Sequence, residues 1–301
     1  MKRLRRWLTR TAVALVGLLA LAAALVFALS QARLAHRYAI PAEHVLIPSQ
    51  AAAIAHGQHL AIISGCIDCH GQDLSGRLFF ENAMVGRFVA PNLTRGEGGI
   101  RFTDEDWIRA IRHGVRPDGK ALLVMPSRQF YALSDADLGD LIAYLKTIPA
   151  VNRRLPPSSL SPMGRVLMLT MKELPLLAAE RIDHAAARQP APPAGVDVEY
   201  GKYLAVRCTG CHGETFSGGR IPGTPPDWPP ALNLTPSAGS AVAQWSEAEF
   251  INALRTGVTP RGNQWDTRYM PWKVLGQMTD QEMKAVWLYL RSLPPREYGS
   301  R

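Results

Sequence analysis

Residues 57–71 read GQHLAIISGCIDCHG and residues 201–213 read GKYLAVRCTGCHG, the first copy carrying two extra residues before its first cysteine. The likeness continues downstream. NLT starts at Asn92 and again at Asn233, IRHGVRPDG at 111–119 is matched by LRTGVTPRG at 254–262, and Met125-Pro126 by Met270-Pro271. LIAYLKTIP at 141–149 is likewise matched by WLYLRSLP at 287–294. Separations between equivalent positions drift by only a few residues, so one domain has been duplicated with small insertions. A chain of 301 residues thus divides into two units of about 100 residues each, not one large domain.

Each copy carries the same helix punctuation. Thr103–Asp106, Ser134–Asp137, Ser246–Glu249 and Thr279–Glu282 all have the hydroxyl-then-acid spacing of a helix start. Trp107, Ile108 and Ile111 form an apolar face, as do Phe250, Ile251 and Leu254, and Gly114 and Gly257 stop those helices. Leu138, Leu141, Ile142 and Leu145 stripe the last helix of the first copy. No alternating strand pattern stands out, so the expected fold class is all-α, with tandem domains over 51–150 and 195–301. Residues 151–194 form a Pro-rich linker containing a helical segment at 163–187, with a break expected at Pro175. That segment is read as a bridge packed across both domains, since its polar face is not notably basic, and Met163, Met168 and Met171 as gap-filling core residues.

All four cysteines fall in the two motifs Cys66-Ile-Asp-Cys69-His70 and Cys208-Thr-Gly-Cys211-His212. The CxxCH spacing is that of covalent haem attachment: two thiols one helical turn apart can bond the two vinyl groups on one haem edge, while the next imidazole reaches the iron. A zinc ribbon would set its CxxC pairs about 15 to 20 residues apart, far closer than Cys69 and Cys208, and a thioredoxin-like site would need a βαβ context. The sixth iron ligand must come from farther along the chain. Met125 and Met270, each before a proline and before the last helix of its copy, are matched across the repeat, whereas Met84, Met278 and Met283 have no counterparts. The expected iron ligands are therefore His70 with Met125 and His212 with Met270. A thioether favours ferrous iron and a relatively high potential.

Other conserved-looking positions are open to two readings. Arg112 and Arg255 match across the repeat and either pair a haem propionate or lie on a solvated helix face. Asn92 and Asn233 either bond propionates or fix a turn. His113 faces Thr256 in the alignment and is read as a helix-end or surface residue; His36, His44, His56, His59 and His184 are likewise unpaired and are not taken as ligands. Trp228 reads as a packing residue beside the second haem.

The net charge of +9 is concentrated at the start: Lys2, Arg3, Arg5, Arg6 and Arg10 supply five of it, leaving +4 for the rest. No basic stripe interleaves with aromatics, so nucleic acid is not an expected partner. Thr11 to Leu29 contains no charged residue, which is long enough to cross a hydrocarbon core of about 30 Å. Residues 1–30 are read as an uncleaved signal-anchor followed by a linker at 31–50, although Ala28-Leu29-Ser30 also offers a signal-peptidase-like site. With the basic end cytoplasmic, everything after the anchor is exported, so the haem domains face the periplasm or the cell exterior across the inner membrane.

On CxxCHG, the NLT turn, the helix ending in RxG, the Met-Pro pair and the LxYLxxxP helix, residues 51–295 resemble the membrane-anchored, multi-haem c-type cytochromes that serve bacterial dehydrogenases such as alcohol dehydrogenase. That resemblance implies two class I-like cytochrome c domains, two covalently bound haem c groups and electron exchange with a respiratory partner. Expected partners are a dehydrogenase or quinol-oxidising complex on one side and a terminal oxidase or soluble cytochrome on the other, with the bilayer as anchor. The resembled subunits carry three haem units where this chain has two, and are not usually tethered by an N-terminal span. No catalytic residue is expected in a carrier, because iron with two protein ligands leaves no open position for substrate. The alternative is a dihaem peroxidase or small-substrate oxidoreductase with one accessible haem.

Overall fold

The computed structural model describes residues 2–171, 174, 176–225 and 227–301; Pro175, where the helix break is expected, lies outside them. Helix α1 (Lys2–Ala35) has 34 residues, about 51 Å at 1.5 Å per residue, and exposes its apolar side chains almost throughout. This N-terminal helix is long and apolar enough to cross a membrane, which suggests a single-pass anchor.

The first half contains α2 (Ala51–Ile63), α3 (Cys66–His70), α4 (Asp104–His113), α5 (Ser127–Phe130) and α6 (Asp135–Thr147). After the linker helix α7 (Pro162–Thr170), the second half repeats the pattern with α8 (Val198–Ala205), α9 (Thr209–His212), α10 (Ala241–Gln244), α11 (Glu247–Thr256), α12 (Trp272–Leu275) and α13 (Asp280–Ser292). In each half the first and last helices cross where a glycine lets them touch: a Cβ at Gly57 would lie 1.9 Å from the Asp140 carbonyl oxygen, and one at Gly201 1.9 Å from that of Ala285. The fold is mostly helical and tandem.

It is not purely α. Strands β1 (Arg77–Asn82), β2 (Gly86–Ala90) and β3 (Ser159–Leu160) form an antiparallel sheet in that order in the first half. The register shifts between Leu78 and Phe80, which breaks the period of two that would have signalled a strand, and β3 is two residues long. The sheet carries its own small core, with Phe88 against Met168, Leu176 and Leu177. Met168 is buried there as expected, but Met163, in the first turn of α7, and Met171, just past its end, are exposed. Rather than lying evenly across both halves, the linker segment docks mainly on the first. Helix α7 packs on α1, and Arg165 donates to Ser30 Oγ (2.9 Å) and sits 4.7 Å over the Phe27 ring. Arg33 of the anchor reaches back to Glu180 (2.5 Å).

All four expected helix starts are real caps: Thr103, Ser134, Ser246 and Thr279 accept the backbone N–H of Asp106, Asp137, Glu249 and Glu282. Three are completed reciprocally by the acid. At Ser134 the loop is closed instead by the other half: the Ser134 N–H donates to the Tyr203 hydroxyl (3.0 Å), which donates to Asp137. Glu282, besides accepting the Thr279 N–H (2.6 Å), pairs with His59 Nε2 (2.9 Å). His59 and Tyr203 occupy equivalent places in the repeat, and so do Asp137 and Glu282. The halves therefore meet about a pseudo-twofold relation, with Leu60 and Ile63 of α2 buried in the second core and Tyr203 packed on the first.

Candidate functional site

A left-handed residue sets the turn that follows each histidine. Leu74 (φ 54°) and Phe216 (φ 60°), four residues beyond each histidine, are buried non-glycine residues held in a conformation that normally costs about 1–2 kcal/mol. The turn lets Gly76 N–H return to the His70 carbonyl (2.7 Å) and Gly218 N–H to that of His212 (2.9 Å). Leu74 and Phe216 then accept the N–H of Leu93 (2.9 Å) and Leu234 (2.8 Å), fastening the NLT stretch alongside the motif.

That placement sets the imidazoles. His70 Nδ1 lies 2.9 Å from the Pro91 carbonyl oxygen and His212 Nδ1 2.7 Å from that of Leu232. A carbonyl only accepts, so each ring donates from Nδ1 and keeps its Nε2 lone pair free. Burial pushes both histidines down, with the carbonyl bond acting the other way. A neutral imidazole with a fixed tautomer is what a metal ligand requires.

Each histidine lines a large cavity, about 580 Å³ in the first half and about 480 Å³ in the second. The first is lined by Cys66, Cys69, His70 and Met125, the second by Cys208, Cys211, His212 and Met270, so the structure brings each expected set to one cavity. The methionines share a local geometry: the next proline caps a short helix, α5 or α12, and the methionine carbonyl accepts the N–H of Ser127 (2.8 Å) or Trp272 (2.7 Å). Burial pushes the Cys66 thiol up to about 12 and that of Cys208 up to about 11. A redox-active CxxC pair is activated by the opposite shift. Paired thiols, a primed imidazole and a thioether around an apolar volume of this size fit a covalently held haem.

The outer residues behave differently. Arg112 and Arg255 line neither cavity. Arg112 is fully buried, donating to Glu43 (2.6 Å), Asp135 (2.8 Å) and the Leu133 carbonyl (3.0 Å). Arg255 pairs with Asp280 (2.7 Å) and the Gly276 carbonyl. Asn92 lines the first cavity, but its amide donates to the Val151 carbonyl (2.8 Å) and accepts the Thr94 N–H (2.9 Å); Asn233 does the same with Arg296 (2.9 Å) and Thr235 (2.8 Å). Both asparagines fix the turn. Trp228 packs edge-on against Tyr269, beside Met270, while Pro229 and Pro230 line the cavity. His113 is not on the surface: it is fully buried, its Nε2 2.9 Å from Glu43 and its Nδ1 2.8 Å from His184 Nδ1. Glu43 and His184 lie far from α4 in sequence, so only the fold reveals this cluster.

Two walls were not legible beforehand. Gln31, Leu34 and Ala35, the end of the anchor helix, line the first cavity. Ser64 and Gly65 line both cavities, which therefore meet immediately before Cys66.

Two family models match the chain, Cytochrome c over residues 198–294 and Cytochrome C oxidase, cbb3-type, subunit III, over residues 52–145. One falls on each cavity-bearing half, so each half is similar to a cytochrome c domain. The chain is 26% identical over 295 residues to the fructose dehydrogenase cytochrome subunit of Gluconobacter japonicus, covering 85% of this chain and 56% of that one. It is 25% identical over 287 residues to the cytochrome c subunit of alcohol dehydrogenase (quinone) from Gluconacetobacter polyoxogenes, with 82% and 57% covered. With a diheme cytochrome c-type protein of Cereibacter sphaeroides it shares 27% identity over 278 residues, covering 81% of this chain and 86% of the relative. The chain thus spans a little over half the length of the two dehydrogenase subunits. The chain resembles a dihaem cytochrome of that kind, with two covalently bound haem c groups. A dihaem enzyme is not favoured.

Proposed function

We propose that this cytochrome is a membrane-tethered carrier whose first domain holds its haem through Cys66 and Cys69, with His70 and Met125 on the iron, and whose second uses Cys208, Cys211, His212 and Met270 in the same roles. One observation carries the reading: stretches far apart within each copy of the repeat deliver the same set of thiols, Nδ1-bonded imidazole and methionine to its cavity. When bound, the group supplies reversible one-electron chemistry at iron. The chain orients the imidazole through Pro91 and Leu232, excludes water with the apolar walls, and presents the thioether from the loop before α5 or α12.

The domains are taken as residues 51–150 and 195–301, each a class I-like cytochrome c fold. The anchor is retained and lies in the inner membrane with both domains on the periplasmic side, a reading supported by the basic residues before the span and by Ser30, which is buried against α7 instead of presented for cleavage. Because α1 forms part of the first cavity's wall, the first haem is the membrane-side centre. The electron donor is an exported dehydrogenase, as the names of the relatives support, or a quinol-oxidising complex; the acceptor is a terminal oxidase or a soluble cytochrome. The test is the full chain made in a host that matures c-type haem. Its mass should exceed that of the polypeptide by two haems, and Met125→Leu and Met270→Leu should each abolish the methionine signature of one haem while lowering its midpoint. A bare polypeptide mass, or variants with unchanged spectra, would overturn it.

A further inference from the structure

The backbone shared by the two cavities is Ser64–Gly65, and the side chain lying against it is Arg207, the residue before Cys208. In the repeat, Arg207 stands where the first copy has Ser64 and Gly65, so equivalent pieces of the two motifs face each other across the domain contact. Arg207 Nε donates to Ser64 Oγ (3.1 Å) and Nη1 to the Leu204 carbonyl (3.3 Å). Nη2 is buried with no partner, and no carboxylate pairs with the guanidinium among the described residues. Arg207 lines the second cavity, and its charge also acts on the thiols of both Cys66 and Cys208, favouring their ionised form against burial. A half-buried guanidinium with one buried, unpaired nitrogen costs folding free energy, and it is placed at the point where the two cavities touch.

We propose that Arg207 is the positioning residue of the inter-haem junction: it pins the Ser64–Gly65 segment to the second motif, and its one positive charge raises the reduction potential of both haems. This rests on each motif carrying a haem. The sign follows from charge: a reduced centre carries one positive charge fewer than the oxidised centre, so a fixed cation near both favours both reduced forms. A guanidinium half-buried at the junction is screened less by salt than an exposed one.

The experiment is an optical redox titration of the full-length, haem-loaded protein that resolves both midpoints, for wild type, Arg207→Gln and Arg207→Lys. In Arg207→Gln both midpoints should fall by about threefold in the reduction equilibrium, about 28 mV at 59 mV per tenfold. Arg207→Lys keeps the charge and should keep both midpoints near wild type. Arg207→His supplies an internal control should the glutamine variant not fold: both midpoints should be lower at pH 8 than at pH 5 by more than in wild type. Midpoints that stay put in Arg207→Gln, or a shift confined to one haem, would overturn the proposal. A wild-type chain lacking two haems would instead sink the reading beneath it.

Discussion

Glu43→Gln removes the carboxylate on which two guanidiniums and an imidazole converge. Arg112 Nη1 lies 2.6 Å from it, His113 Nε2 2.9 Å, and Arg188 completes the set. Arg112 and His113 are both 0% exposed, and Glu43 is 17% exposed. His113 is backed in turn by His184, 2.8 Å away between the two Nδ1 atoms. Breaking one partner out of a buried ion pair costs about 3–5 kcal/mol; Glu43 keeps some solvent and glutamine keeps an acceptor, so the expected loss is about 3 kcal/mol. At about 2–4 °C per kcal/mol for a unit of about 160 residues, the first domain with the two linkers that carry Glu43, His184 and Arg188, thermal unfolding should shift down by about 6–12 °C. The pH sign is fixed by the carboxyl, which His113, Arg188 and Arg112 hold well below the usual range despite burial. Its contribution is fully present above the unfolded carboxyl pKa of about 4.3 and is lost as pH falls toward the folded value, because the unfolded chain takes up the proton first. The assay is thermal unfolding of the haem-loaded protein and Glu43→Gln between pH 3 and 7, read as their difference so that other carboxylates cancel. Equal unfolding temperatures at pH 7, or a difference that does not shrink on acidification, would refute the reasoning.

The remaining expectations are simpler. Met125→Leu and Met270→Leu should each lower one midpoint and leave the other haem's spectrum intact, as followed by redox titration. Gly57→Ala and Gly201→Ala drive a methyl into the carbonyl of Asp140 or Ala285 and should each cost about 1–3 kcal/mol or more, seen in chemical denaturation. Val124, a β-branched residue at φ 65° just before Met125, should stabilise the fold by about 1 kcal/mol when replaced by glycine; a destabilised Val124→Gly would show that side-chain packing outweighs backbone strain.

The sequence disclosed what repeats and what is local. Caps at Thr103, Ser134, Ser246 and Thr279 depend on residues three positions apart, and the CxxCH motifs announce themselves within five residues. The small sheet stayed hidden because a bulge at Leu78 and a two-residue β3 leave no alternation to count. His113 looked peripheral because it is unmatched in the repeat, yet that difference is why it is buried: its partners Glu43 and His184 come from the two linkers, which were not duplicated. Arg112 and Arg255 do share one role, each pairing with the first residue of its copy's last helix, Asp135 or Asp280, while the added acceptor Glu43 belongs to one copy alone.

The duplicated and unduplicated parts divide the work of holding two redox centres. Equivalent residues make the domain contact, His59 reaching Glu282 as Tyr203 reaches Asp137, and each lands on the cap of the other domain's last helix. Those helices cross α2 and α8, which lead directly into the CxxCH motifs, so the contact that fixes the domains also fixes the separation of the cavities. A perfectly symmetric contact would bring like residues together at the junction. The two-residue length difference before the first cysteine prevents this and sets Ser64–Gly65 of one copy against Arg207 of the other. The symmetry supplies proximity, and its local failure supplies room for a charge that both centres feel. Residues of α1 line the first cavity, and Ser64–Gly65, on that same lining, also line the second beside Arg207, so the contacts run from α1 through the first cavity and Arg207 to the second cavity.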